Sequence, residues 1–177
     1  MARQVVDFLD TSVFVELLDV PFMNDHRAEV LAEMQDRLSK GVRFVLPTAT
    51  IIETGNHVFQ VKAGTARGRC ARTFQAMLEK TARGEAPWVL HERQWSGEFL
   101  AALSAGVRTG MNLAEHAVRQ QLGTGDLSIV AERDLYASRA QATVRIGTLE
   151  ATMTPGSRST ERATGRDRVC MGGVGRG

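Results

Sequence analysis

Cysteine is almost missing: the 177 residues hold two, Cys70 and Cys170, far apart and in no metal-ligand spacing. They read as two reduced thiols, and no Cys/His cluster offers a zinc site. Long apolar runs are missing too. No stretch approaches the roughly 20 residues of a membrane span, and Met1-Ala2-Arg3-Gln4 leads straight into a strand-like run without a signal-peptide pattern. The expectation is retention in the cytoplasm with no membrane partner. Nor is there a strong charge of either sign: the formal net charge is +2. Residues 155–177 carry five arginines (Arg158, Arg162, Arg166, Arg168 and Arg176) against Glu161 and Asp167, a local +3 that leaves residues 1–154 at −1. The body is therefore no strongly basic nucleic-acid binder. Its nearest approach to a basic patch is Lys62, Arg67, Arg69 and Arg72, which either touch a phosphate backbone or form a solvated helix face beside a loop.

What is present is enough apolar sequence, 43% of the chain, for one sizeable core. Val5-Val6-Asp7-Phe8-Leu9 reads as a buried strand that turns at Asp10-Thr11-Ser12 into a helix through Val13, Phe14, Leu17 and Leu18. Helical spacing of Ala28, Leu31, Met34 and Leu38 predicts a helix over 24–39, ended by Gly41. A strand over 42–46 follows, then a helix opened by Pro47-Thr48 that contains Ile51, Ile52, Glu53, Val58 and Phe59. The stretch 64–68 reads as a break before a helix through Phe74, Met77 and Leu78. Trp88-Val89-Leu90 is a short strand, with helices over 94–103 and 113–122. Gly123-Thr124-Gly125-Asp126 turns into a helix carrying Leu127, Val130, Ala131 and Leu135, and the last regular element is a strand over 143–149. Strands alternating with helices predict an α/β fold around a mostly parallel sheet covered on both faces. Residues 1–154 form the domain; residues 155–177, with six glycines, read as a flexible Gly/Ser/Arg-rich tail.

In such sheets functional groups gather beyond the carboxyl ends of the strands. Asp10 and Glu150 directly follow strands, and Glu53 and Asp126 sit near helix starts facing the same edge. Acids converging on one pocket repel one another unless a cation neutralises them, and all-oxygen ligands suit Mg²⁺ or Mn²⁺. Asp10 would bind metal while also capping the helix after it, with Ser12 orienting its carboxylate. Asp126 either caps its helix or points into the pocket. Asp7, three residues before Asp10, lies on the opposite face of the strand. His57, one turn after Glu53, is either the partner in an Asp/Glu–His metal pair or, the better reading, a helix-surface histidine.

Asp10-Thr11-Ser12 after a hydrophobic strand, Glu53 in Ala49-Thr50-Ile51-Ile52-Glu53, Gly125-Asp126-Leu127-Ser128-Ile129-Val130-Ala131, and Thr148-Leu149-Glu150 after the last strand resemble, in order and approximate spacing, the acidic motifs of PIN-domain ribonucleases. The resemblance covers about residues 3–154. It implies a three-layer α/β/α sandwich with the first strand central, and endonucleolytic cleavage of RNA dependent on Mg²⁺ or Mn²⁺. It also implies metal coordination by Asp10, Glu53 and Asp126. At the fourth position, where the family commonly carries Asp in a Thr-x-Asp motif, Glu150 stands with Thr148 as the accompanying polar residue; Asp134 is a fallback fourth acid. Many small bacterial members are VapC-like toxins of toxin–antitoxin pairs, which adds an antitoxin and a homodimer as expected partners. This chain is longer than those compact members, so the toxin role is held less firmly than the nuclease role.

Other readings stay open. A phosphatase with an Asp nucleophile needs its two acids two apart, whereas Asp7 and Asp10 are three apart. A dinucleotide site needs a glycine-rich turn where Asp10-Thr11-Ser12 stands. The same acids serve a nuclease acting on DNA, another RNA-processing role, or a non-catalytic PIN-like interaction protein. The discriminator is spatial: the nuclease reading requires Asp10, Glu53 and Asp126 to come close enough to share one Mg²⁺ shell.

Overall fold

The computed structural model describes residues 4–92, 95–140 and 142–147. Thr148, Glu150 and the segment 155–177 lie outside them. Strand β1 (Val5–Leu9) is interior to a four-stranded sheet, flanked by β2 (Arg43–Leu46) and β4 (Thr143–Gly147), with β3 (Trp88–Leu90) at the far edge beside β2. Every pairing is parallel; the register sets Phe8 opposite Val45 and Leu9 opposite Gly147. Parallel neighbours need crossovers, supplied by α1 (Thr11–Leu17) and α2 (Arg27–Ser39), then α3 (Thr48–Gln60) and α4 (Gly64–Ala82), then α5 (Gly97–Ser104), α6 (Leu113–Val118) and α7 (Thr124–Arg139). The result is an α/β fold with an all-parallel sheet between helical layers, as the alternation of elements predicted.

Strand residues alternate between two cores, as a pleat requires. Leu9, Phe44, Leu46 and Trp88 pack with Phe14, Val58 and Cys70 on one side. Val6, Phe8 and Val45 pack with Ile129 of α7 on the other. Asp7 shares the first face with Leu9 and is fully buried there, held by Arg37 Nη1 of α2 at 2.6 Å and Arg145 Nε of β4 at 3.4 Å. No helix of the described residues is long and apolar enough to cross a membrane.

Several boundaries differ from expectation. The break expected over 64–68 is helical: α4 begins at Gly64, and the interruption sits at 61–63 instead. Each interior glycine costs a helix about 1 kcal/mol relative to alanine. Against that cost, Cys70 is fully buried in the core one turn later, and Arg67 Nη1 donates to the Val61 carbonyl at 3.0 Å. The helix expected from 24 starts at Arg27, where the buried Glu16 carboxylate accepts the His26 N–H at 3.2 Å. Gly41, at φ +77°, closes that helix in a conformation natural to glycine. The helix expected to reach 122 stops at Val118, because Gln120 turns left-handed at φ +50°. Ser96 caps α5 by accepting from the Phe99 N–H at 3.2 Å, which places that helix start inside the expected 94–103 span.

Candidate functional site

Three acids far apart in sequence reach one cleft at the carboxyl edge of the sheet. Asp10 arrives by ending β1; its own N–H continues the ladder by donating to the Gly147 carbonyl of β4 at 3.3 Å. Glu53 arrives because the fully buried Thr50 in the first turn of α3 donates its hydroxyl to the Leu9 carbonyl at 2.8 Å, pinning that helix to the end of β1. Asp126 arrives as the third residue of α7, where its carboxylate accepts the Gly123 N–H at 2.9 Å. These carboxylates, with Thr11, Ser12, Asn56, His57 and others, line a cleft of about 500 Å³, and no Lys or Arg is among its described lining residues.

Local hydrogen bonds aim each acid. Ser12 Oγ donates to Asp10 Oδ2 at 2.9 Å, the orienting role expected of it. Asp10 stands at the N-cap position of α1, yet its carboxylate makes no capping hydrogen bond, so the cap half of its expected double role is absent. Thr11 Oγ1 donates to Glu53 Oε2 at 2.8 Å. Glu53 also lies against the backbone of Gly125: a Cβ at that position would overlap its carboxylate where it now stands and displace it. Asp126 does both things sequence left open, capping α7 and lining the cleft.

Burial raises the Asp10 carboxyl above its ordinary value of 3.8, and the charge of Asp126 pushes the same way. The Ser12 hydroxyl and the nearby N–H groups of Thr11 and Ser12 oppose it without cancelling it. An ionised Asp10 is thus costly in the absence of a counter-charge. None of the ion pairs among the described residues involves Asp10, Glu53 or Asp126.

The spatial requirement is met in part. Asp10, Glu53 and Asp126 share one cleft, but among the described residues no group of three or more His, Cys, Asp or Glu side chains is placed to hold a metal ion. Each carboxylate accepts from its own donor: Asp10 from Ser12, Glu53 from Thr11 and Asp126 from the Gly123 backbone. In chemistry the three carboxylates still fit a hard divalent cation, since they are oxygen donors with no Lys or Arg among the described lining residues.

Other expectations fall outside the cleft. Glu150 and Thr148 follow β4 beyond the described residues. Asp134, the fallback acid, pairs with Arg133 at 2.7 Å and does not line the cleft. Lys62, Arg67, Arg69 and Arg72 are all exposed on or just before α4, with Arg69 within 3.6 Å of Asp19, and none lines the cleft. In the other direction, Thr11 and Asn56 belong to the lining although sequence reading gave them no part, and His57, read chiefly as a helix-surface histidine, lines it too. The usable signal was spacing: Asn56 and His57 stand three and four residues after Glu53, the two offsets that share a helix face. No family model, no curated protein and no solved structure matches the chain.

Proposed function

We propose that this cleft binds Mg²⁺ or Mn²⁺ and that the protein hydrolyses phosphodiester bonds, with RNA the backbone implied by its resemblance to PIN-domain ribonucleases. One observation carries the reading. Asp10, Glu53 and Asp126, the acids in that motif order, line the same cleft beyond the ends of parallel strands, with His57 beside them and no Lys or Arg among the described lining residues. Charge of one sign gathered in a partly buried cleft is a cost that a cation removes. A bound divalent ion lowers the pKa of an attacking water and offsets charge on the scissile phosphate. Asp10 is the central candidate ligand, held in orientation by Ser12, with Glu53 steadied by Thr11 and given space by Gly125. Glu150 is the fourth acid of the motif order; the β4 segment ahead of it ends at Gly147, beside Asp10. Exposed Lys62, Arg67 and Arg72 are candidate phosphate contacts outside the cleft. A toxin role with an antitoxin partner, and a homodimer, extend the same resemblance. Action in the cytoplasm is part of the same proposal, drawn from the lack of a membrane span or signal-peptide pattern in the sequence.

A second reading, a non-catalytic PIN-like interaction protein, is favoured by one specific finding, the lack of three donors around a single point among the described residues. Incubating the purified chain with single-stranded RNA and DNA, with and without Mn²⁺, separates the two. Metal-dependent RNA cleavage that falls at least ~100-fold in Asp10→Asn is expected, on the scale of losing one preorganised electrostatic group. Cleavage unchanged in that variant overturns the assignment, and cleavage of DNA alone moves the substrate.

A further inference from the structure

The two most exposed aromatic side chains among the described residues both adjoin the cleft lining. Phe22 is 98% exposed and stands next to Met23; Phe59 is 75% exposed and stands next to Gln60, one turn after Asn56. Neither ring serves the core, where phenylalanine is usually found. Phe22 is also held at φ +66°, a left-handed conformation that bulky residues rarely adopt. The turn that holds it is braced, since the Met23 N–H donates to the Val20 carbonyl at 3.0 Å and Asn24 Nδ2 donates to Asp19 Oδ1 at 2.7 Å. A fixed turn therefore presents this ring to solvent. Ile52, two turns before Phe59 on α3, is 54% exposed and extends the apolar face there.

Positive charge gathers at the same end of the cleft. Along α3 the lining runs from Glu53 through Asn56 and His57 to Gln60, and Lys62 follows two residues later. Arg67 is anchored nearby, one guanidinium N–H on the Val61 carbonyl at 3.0 Å. Arg69 of α4 reaches toward the Phe22 turn, 3.6 Å from Asp19. All three cations are exposed. We infer that this rim is a stacking shelf for an unpaired nucleic-acid strand, with bases lying on Phe22 and Phe59 while Lys62 and Arg67 hold the backbone that leads into the cleft. Aromatic rings beside a basic track are the means by which proteins hold single strands, because every base has a face to stack and every nucleotide a phosphate to pair. A duplex hides those faces inside its own stack. Apart from Met23, the lining next to the rings is polar, at Asn56, His57 and Gln60. That suits base edges, which carry donors and acceptors, better than the continuous apolar face of a protein helix.

Only the strand's passage into a catalytic cleft rests on the function proposed above; the shelf itself needs neither metal nor cleavage. Fluorescence anisotropy in EDTA at low salt reads it directly, using the full-length chain and end-labelled oligo(A) strands of about 12 nucleotides, as RNA and as DNA. The parent should bind a single strand more tightly than the same strand paired with its complement. Phe22→Ala and Phe59→Ala should each weaken binding about tenfold while melting close to the parent, since both rings are exposed. Tyrosine at either position should restore affinity and leucine should not, because leucine keeps apolar bulk without a ring face. Lys62→Gln combined with Arg67→Gln should lower the slope of log affinity against log salt by about 1.4, the loss of two single-strand phosphate contacts. Binding of RNA alone or DNA alone supports the shelf and fixes the sugar. No binding by the parent, equal binding of duplex, or undiminished binding by the Ala or Leu variants overturns it. So does sedimentation that shows a parent dimer broken to monomers by Phe22→Ala or Phe59→Ala, since the rings would then face a second copy. Strand binding that depends on both rings, with no cleavage once Mn²⁺ is added, keeps the shelf and removes the nuclease; metal-dependent cleavage with unchanged binding in the Ala variants does the reverse.

Discussion

Asp10 carries opposite consequences for stability and for function. Its carboxyl is raised above 3.8 chiefly by burial and further by Asp126, so the folded chain holds that proton more tightly than the unfolded one. The stabilisation from this proton is fully present below the unfolded value and is lost as pH rises through the higher folded value. At neutral pH the ionised group therefore works against folding. Asp10→Asn, which keeps an oxygen for the Ser12 hydroxyl, should raise the melting temperature of the metal-free protein at pH 7 by about 2–4 °C, the effect of ~1 kcal/mol in a chain of this length. The gain should shrink to nothing near pH 3; an equal or lower melting temperature at pH 7 would count against the burial argument. Gly125 is the complementary case. Alanine there suits a helix better than glycine by about 1 kcal/mol, but its methyl would displace the Glu53 carboxylate, the free end of a flexible side chain. Gly125→Ala is therefore expected to change stability by less than ~1 kcal/mol in a denaturant melt while weakening Mn²⁺ binding about tenfold; unchanged metal affinity would mean that Glu53 takes no part.

Elements are tied together by an ion pair that no local pattern announces. Asp7 on β1 is wholly buried and is held by Arg37 of α2 at 2.6 Å, with the half-exposed Arg145 of β4 further off at 3.4 Å. Arg37→Ala leaves a buried carboxylate with only the weaker partner, a change that costs about 3–5 kcal/mol where no relaxation intervenes. Arg145→Ala, at an exposed and longer contact, should cost less than ~1 kcal/mol. Comparable losses in chemical denaturation would refute that ranking. The contrast also shows what was legible. Strand β1 was readable to its last residue because Val5-Val6-Asp7-Phe8-Leu9 is apolar on both sides of a single acid and stops at a cap-type residue, and the opposite facing of Asp7 and Asp10 followed from the pleat alone. Arg37, thirty residues away in sequence, was not readable as the partner, since pairing is a tertiary event. The start of α4 was missed because Gly64 and Gly68 argue locally for a break, whereas Cys70 packing in the core argues for helix and is invisible until the fold is assembled. For the cleft, acids directly after strands or near helix starts were found by their position. Thr11 was not, because a hydroxyl beside an acid has no meaning until Glu53 comes within 2.8 Å of it.

At the scale of the whole molecule the sheet edge gathers negative charge from β1, α3 and α7, and a ligand that neutralises it must stabilise the folded state over the unfolded chain. A divalent ion present at one hundred times its dissociation constant adds about 2.7 kcal/mol, which in a chain of this length is a rise of roughly 5–10 °C in melting temperature. The parent protein should show this rise with Mn²⁺ at pH 7 and lose it on acidification as Asp10 takes up its proton. Asp10→Asn should show almost none, because the proposed central ligand is gone while the fold is intact. The two proteins should then exchange order: the variant melts higher without metal and lower with it. A simple loss of structure in the variant cannot produce that crossing, since it would lower both measurements, and a non-specific ion effect cannot produce it either, since it would raise both. Parallel rises in the two proteins would place any bound cation elsewhere and leave the cleft carboxylates without a metal-holding role.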